Sequence, residues 1–226
     1  MTTSARLGAI GWIAGVVQFF AVMVIVELAW ESPYSWADNN ISDLGNVTCG
    51  EFGGRSVCSP LHDLMNVSFV LGGVLIVGGV LLTSTAWPRG AVAIITRLLL
   101  AATGFGWAVA GLWPADVNED MHVLGGAVII FLCGNAALLL AGFLRTGTPI
   151  SRTRWYAAGF GALGLAAMVL HFGGHGLGLG TGGMERVTAY GVPLWLLLTG
   201  VFVLRSGGDE VGEVRQRRTG LHSARH

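Results

Sequence analysis

Residues Leu7–Trp30 read LGAIGWIAGVVQFFAVMVIVELAW, with one carboxylate, Glu27, near the far end. A helix that crosses a bilayer needs about 20 consecutive, mostly apolar residues, because each residue rises roughly 1.5 Å. This run supplies them. It is too long for the apolar core of a signal peptide, and no small-x-small cleavage site follows it, so it reads as a retained helix.

Five further stretches repeat the pattern: Leu61–Ser84, Ala91–Trp113, Met121–Leu144, Arg154–Leu177 and Val187–Leu204. The chain is 53% hydrophobic and 12% charged, with 36 glycines among 226 residues, outside the range of soluble domains. The expectation is an all-α, polytopic bundle of six transmembrane helices over residues 1–205. A Gly- and charge-rich cytoplasmic tail, 206–226, reads as disordered, with His222 and His226 idle in it.

Arginine alone sets the orientation, since the chain has no lysine. Arg6, Arg89, Arg97, Arg145, Arg152, Arg154 and Arg205 border one side of the spans, and the tail adds Arg215, Arg217, Arg218 and Arg225. Only Arg55 and Arg186 fall on the other. By the positive-inside rule both termini are cytoplasmic and the protein is a multi-pass protein of the cell membrane. Trp30, Trp36 and Trp113 would mark the outer interface, and Trp12, Trp87 and Trp155 the inner one. Membrane lipid is the implied partner. The only basic patch is the tail, which gives nucleic-acid binding no support. The sequence leaves the oligomeric state open, a homo-oligomer included.

The first outer connection, residues 31–60, is much longer than the basic inner ones, and loops of that length are usually functional or disordered. Tyr34, Trp36, Ile41 and Leu44 would anchor it as a cap over the bundle mouth, with a short helix beginning near Asn40. Cys49 and Cys58 bracket CGEFGGRSVC, and an oxidising exterior makes a disulfide between them the natural expectation. Asn46-Val47-Thr48 matches a glycosylation sequon, a frequent accident. Cys133, inside the fourth span, reads as a small packing residue. Gln18 and Asn135 read as hydrogen-bonding links between helices, and Pro193 as a kink in the sixth.

The chemistry-bearing residues share the outer depth. His171 and His175 form HxxxH, which on a continuous helix puts both imidazoles on one face, within reach of one metal ion. His122 and His62 are the further ligand candidates, and zinc or another divalent ion the implied cofactor. The competing reading has these histidines bonding loop carbonyls at the interface. Glu119 precedes His122 by one turn, a single copy of the Glu-x-x-His that di-iron bundles need twice. Asp116, Glu119 and Asp120 also suit a helix N-terminus on dipole grounds. In SPLHDLMN, Ser59 reads as a cap or a nucleophile beside His62, Asp63 and Asn66. Glu27, with Arg186 as its candidate partner, completes the polar set with Asp43 and Glu185; ionisable groups at such depths are functional-site candidates by default.

Ile41-Ser42-Asp43-Leu44-Gly45, Leu64-Met65-Asn66, Pro114 with Asp116, His122 and Glu185-Arg186 carry a resemblance over all but the tail. The chain resembles a bacterial and archaeal family of six-helix membrane proteins catalogued only as a domain of unknown function. That resemblance implies fold and topology, not an activity. A weaker similarity is to the alkaline ceramidase and adiponectin-receptor group of membrane hydrolases, which hold an intramembrane zinc with histidines that include an HxxxH on the last helix. His171 with His175, His62 with Ser59, and Asp63 echo those elements. Here, however, six spans stand in place of seven, and HxxxH falls on the penultimate one.

Two functions remain open. One is an outward-facing, metal-dependent hydrolase of a lipid or lipid-linked substrate. His171, His175 and His122 or His62 would hold a metal-activated water, with Glu119 or Asp63 as base. The other is non-enzymatic binding or transport of a lipid, small ligand or ion in the same cavity. A bis-histidine haem is a third possibility that a visible spectrum would test.

Overall fold

Each apolar run closes its backbone hydrogen bonds internally, as a span must where no water is available. A computed structural model describes residues 1–31 and 34–206, and the expected disordered tail lies almost wholly outside those residues. Among them, six helices are long and apolar enough to cross a membrane: α1 (Thr3–Leu28), α2 (His62–Leu82), α3 (Ala91–Leu112), α4 (Glu119–Ala141), α5 (Arg154–Phe172) and α6 (Gly180–Ser206). Thr2 caps α1 by accepting the Ala5 N–H. Within α4, residues Leu124–Cys133 wind as a π-helix. Helix α6 is interrupted by a turn at Tyr190, and Pro193, whose ring nitrogen has no hydrogen, cannot close the bond to the Ala189 carbonyl.

Sequence neighbours pack side by side, α1 on α2, α2 on α3 and α3 on α4, so an even number of spans returns both ends of the bundle to one side. Small residues set the spacing. A Cβ on Gly73 would strike the backbone of Gly104 and Ala108, and one on Gly106 would strike the Gly125 carbonyl. Gln18 and Ser68 exchange hydrogen bonds between α1 and α2, and Asn135 donates to the Thr188 carbonyl of α6 at 3.0 Å. Both act as the interhelical links their positions suggest.

The exterior is apolar, with Leu28, Val67, Leu98 and Val169 exposed, as lipid-facing side chains should be. The tryptophan pattern needs correction. Trp12, Trp30 and Trp87 are buried in the bundle, with Trp12 donating to the Ile76 carbonyl. Trp36, Trp113 and Trp155 are the exposed ones, which suits them to an interface.

The long connection is an ordered cap. Its short helix is a 3₁₀ turn, Ser42–Gly45. The cysteine-bracketed stretch is a β-hairpin, β1 (Gly50–Phe52) against β2 (Arg55–Val57), closed by the Cys49–Cys58 disulfide. Gly53 and Gly54 both take positive φ, 57° and 76°, the conformation a two-residue hairpin turn demands.

Candidate functional site: a capped cavity

Two arginines, Arg55 and Arg186, lie at the cap end of the bundle, and both are bound into the cap. Arg55 donates from Nε to Asp43 Oδ2 at 2.5 Å and from Nη2 to Asp43 Oδ1 at 2.6 Å. Asp43 is fully buried and also accepts the Asn40 N–H at 2.9 Å. These bonds hold the Arg55 guanidinium above its ordinary pKa range. Arg186 reaches out of α6 to the carbonyls of Trp36 and Asn39, and its Nη2 donates to the Tyr34 hydroxyl at 2.5 Å. That hydroxyl donates onward to the Asn40 carbonyl at 2.8 Å. Burial pushes the Tyr34 pKa up, so the phenol stays neutral.

The glycine-rich approach to α6 lets this happen. Gly182 donates its N–H to the Ala37 carbonyl at 2.8 Å, and a Cβ on Gly182 would strike the Asn39 backbone. Glu185 then accepts the Ile41 N–H at 2.5 Å. Glu27, expected opposite Arg186, instead accepts from Trp36 Nε1 at 3.1 Å. The far side of the cap is tied by Asp116, which accepts from Val47 N, Thr48 N and the Thr48 hydroxyl at 3.1, 2.7 and 2.7 Å. Burial alone would raise the Asp116 pKa, but these donors outweigh it and hold the carboxyl below its ordinary range. Asn66 donates to the Gly45 carbonyl at 2.8 Å, and the Ser59 hydroxyl donates to the Leu44 carbonyl at 2.7 Å. Asn46 is 1% exposed, so the sequon is closed to a glycan in the folded protein.

Beneath this cap lies a cavity of about 180 Å³. Asn40, Ile41 and Ser42 form its roof; His122, His171 and Glu185 stand at its upper wall. Deeper, the wall is apolar and aromatic, with Phe19, Phe69, Trp107, Phe131 and Tyr190. His122 Nδ1 lies 2.9 Å from the Trp113 carbonyl. A carbonyl can only accept, so Nδ1 carries the hydrogen and Nε2 keeps its lone pair when the ring is neutral. Three polar atoms of lining residues are buried without a hydrogen-bond partner: Asn40 Oδ1, Trp107 Nε1 and His171 Nδ1.

The expected four-histidine cluster is not assembled. Helix α5 ends at Phe172, and Gly174, at φ 71°, turns the chain left-handed. The Gly174 N–H bonds the His171 carbonyl and the His175 N–H bonds the Leu170 carbonyl, the paired bonds of a Schellman stop. His175 is therefore off the helix and exposed, and HxxxH does not present one face. His62 sits at the start of α2, with Nδ1 on the Ser59 carbonyl at 3.0 Å and Nε2 3.4 Å from Asp63. The Asp63 side chain is 95% exposed, and Ser59 is turned to Leu44, so no Ser–His–Asp relay forms. Glu119 and Asp120 are exposed in the first turn of α4, which Asn118 caps. Among the described residues, no three His, Cys, Asp or Glu side chains stand close enough together to hold a metal ion. Of the sequence-derived candidates, His122, His171 and Glu185 line one cavity, while Glu27, Asp43, Asn66, Asp116 and Arg186 build or brace the cap. Sequence reasoning missed Asn40 and the aromatic wall. One signal for the wall was Trp107, placed mid-span and away from the interfaces where tryptophan usually sits.

No curated protein and no solved structure matches the chain. The family model described as Protein of unknown function (DUF998) matches residues 13–202, and this chain, with its six helices fit to span a membrane, belongs to that family.

Proposed function

We propose that this is a multi-pass membrane protein that binds a small ligand, or the head of a lipid, in the capped cavity on the extracytoplasmic side. The observation that carries the reading is the cavity itself: an aromatic floor, a polar roof, and three buried polar atoms on one lining with no partner in the protein. Such orphaned atoms are uncommon in folded proteins, and a ligand that paired with them would recover their lost hydrogen bonds. At about 180 Å³ the space is below the roughly 300–1,000 Å³ of drug-sized pockets. It suits a head group or a small molecule, with any acyl chain left outside in the bilayer. Exposed Val123 and Phe172 border the cavity, which favours entry from the lipid side between α4 and α5.

The metal-dependent hydrolase is the weaker reading, because its ligand set rested on His171 and His175 sharing a helix face. A direct test is to purify the protein in detergent, extract and identify co-purifying lipids and small molecules by mass spectrometry, and measure thermal stabilisation by each. The reading expects at least one stabilising species whose effect falls in His122→Ala and His171→Ala. No stabilising species, together with stoichiometric zinc in the purified protein, would return the hydrolase to first place.

A further inference from the structure

We propose that the cavity selects an organic ammonium group, either free or as the head of a lipid. This deepens the binding reading above and rests on it. The first observation is the wall. Phe19, Phe69 and Trp107 form one aromatic cluster, with ring centroids 4.6 Å apart for Phe19–Trp107, 5.7 Å for Phe19–Phe69 and 5.8 Å for Phe69–Trp107. Phe131 and Tyr190 add further rings to the same lining. Aromatic faces carry negative potential, and cages of them are the recurring recognition device for alkylated ammonium ions.

The second observation is the buried carboxylate on that lining. Glu185 is 7% exposed, its bonded partner is the neutral Ile41 N–H, and no cation lies within ion-pair distance of it among the described residues. The neighbouring guanidinium of Arg186 is turned to the cap carbonyls. At the roof and upper wall, Asn40 Oδ1 and His122 Nε2 are acceptors that suit a cation or a donor, while the unpartnered Trp107 Nε1 is a donor that would take a ligand hydroxyl or other oxygen.

The third observation is the approach. Glu31, Asp38, Glu51, Asp63, Glu119 and Asp120 are exposed around the cap, while the two cap-side arginines are engaged by the cap itself. This acidic surface, with both cap arginines engaged, raises the local concentration of cations at the cap face and repels anions. A trimethylammonium or ethanolammonium group is small enough for a cavity of about 180 Å³.

The test uses the full chain in nanodiscs of phosphatidylglycerol, which has no amine. Choline, tetramethylammonium and the uncharged choline isostere 3,3-dimethylbutan-1-ol are titrated, with Trp fluorescence and calorimetry as readouts. Both cations should bind at least about tenfold more tightly than the isostere, the scale of one desolvated cation–π contact plus a counter-charge. Glu185→Gln, which keeps an acceptor for Ile41, should remove that preference. Phe131→Leu, which keeps apolar bulk without a ring face, should weaken it while the protein melts normally. A second titration in phosphatidylethanolamine nanodiscs separates the sources: competition by the head group assigns a lipid ligand, and unchanged choline affinity assigns a free amine. Equal binding of the isostere overturns the ammonium assignment and leaves the cavity a binding site. Failure of every probe, with no stabilising lipid in the earlier screen, overturns both.

Discussion

Asp43 and Arg55 meet through two short hydrogen bonds, one from Nε and one from Nη2, with the carboxylate fully buried and the guanidinium on the hairpin closed by Cys49–Cys58. The same carboxylate takes the Asn40 N–H, and Asn40 roofs the cavity. The hairpin is thus coupled to the roof through one side chain. Removing one member of a buried pair leaves the other charge uncompensated, which typically costs about 3–5 kcal/mol.

Arg55→Ala should therefore loosen residues 39–57 as a unit. Hydrogen exchange of that segment should rise, with the spans unchanged, and the thermal midpoint should fall. Arg55→Lys should not restore it, since an ammonium cannot make the two-pronged contact. Unaltered exchange in Arg55→Ala would show that the pair does not hold the roof.

Gly182 and Gly78 offer a matched pair. A Cβ at Gly182 meets the Asn39 backbone, which cannot swing aside, whereas at Gly78 nothing lies within 4 Å. Gly182→Ala should cost about 1–3 kcal/mol, the usual range for overpacking. Gly78→Ala, in the C-terminal part of α2, should be neutral or stabilising. The comparison of melting midpoints checks both, and equal effects would mean that the α6 start does not press on the cap.

The spans were legible because hydropathy over some twenty residues is a strong, additive signal, and the disulfide because both cysteines lay in one long connecting loop. The cap's pairing was not: Arg55 reaches Asp43 only once a hairpin exists, and alternation over three-residue strands is too short to read. HxxxH misled for a local reason. The spacing argument assumed a continuous helix, yet Gly173-Gly174 after His171 is itself a stop signal, and φ 71° at Gly174 ends α5 before His175. The aromatic wall was hidden because a Phe facing a cavity and a Phe facing a neighbouring helix look alike within an apolar run.

Asp116 makes the cap's outer tie pH-dependent. Its folded pKa lies below the ordinary value, so its bonds to Val47 and Thr48 stabilise the fold above the unfolded pKa, near about 4. That contribution fades as pH falls through the lower, folded value. Protection factors at the Val47 and Thr48 amides, which allow for the intrinsic slowing of exchange in acid, should be high at neutral pH and fall in acid. Asp116→Asn should flatten this dependence, and a profile identical to the wild type would assign the acid response to another group.

His171 and His175 should separate functionally, although they are four residues apart. His171 lines the cavity with a buried, unpartnered Nδ1, while His175 lies past the helix stop and is exposed. His171→Ala should weaken ligand affinity several-fold and lower ligand-dependent thermal stabilisation accordingly, the loss of about one hydrogen bond of 1 kcal/mol. His175→Ala should leave it unchanged, because its side chain reaches neither the cavity nor a shared metal position. Zinc content measured on the same preparations should not differ between the two variants. Equal loss of stabilisation in both, with zinc lost in each, would show that the two imidazoles act as one ligand pair.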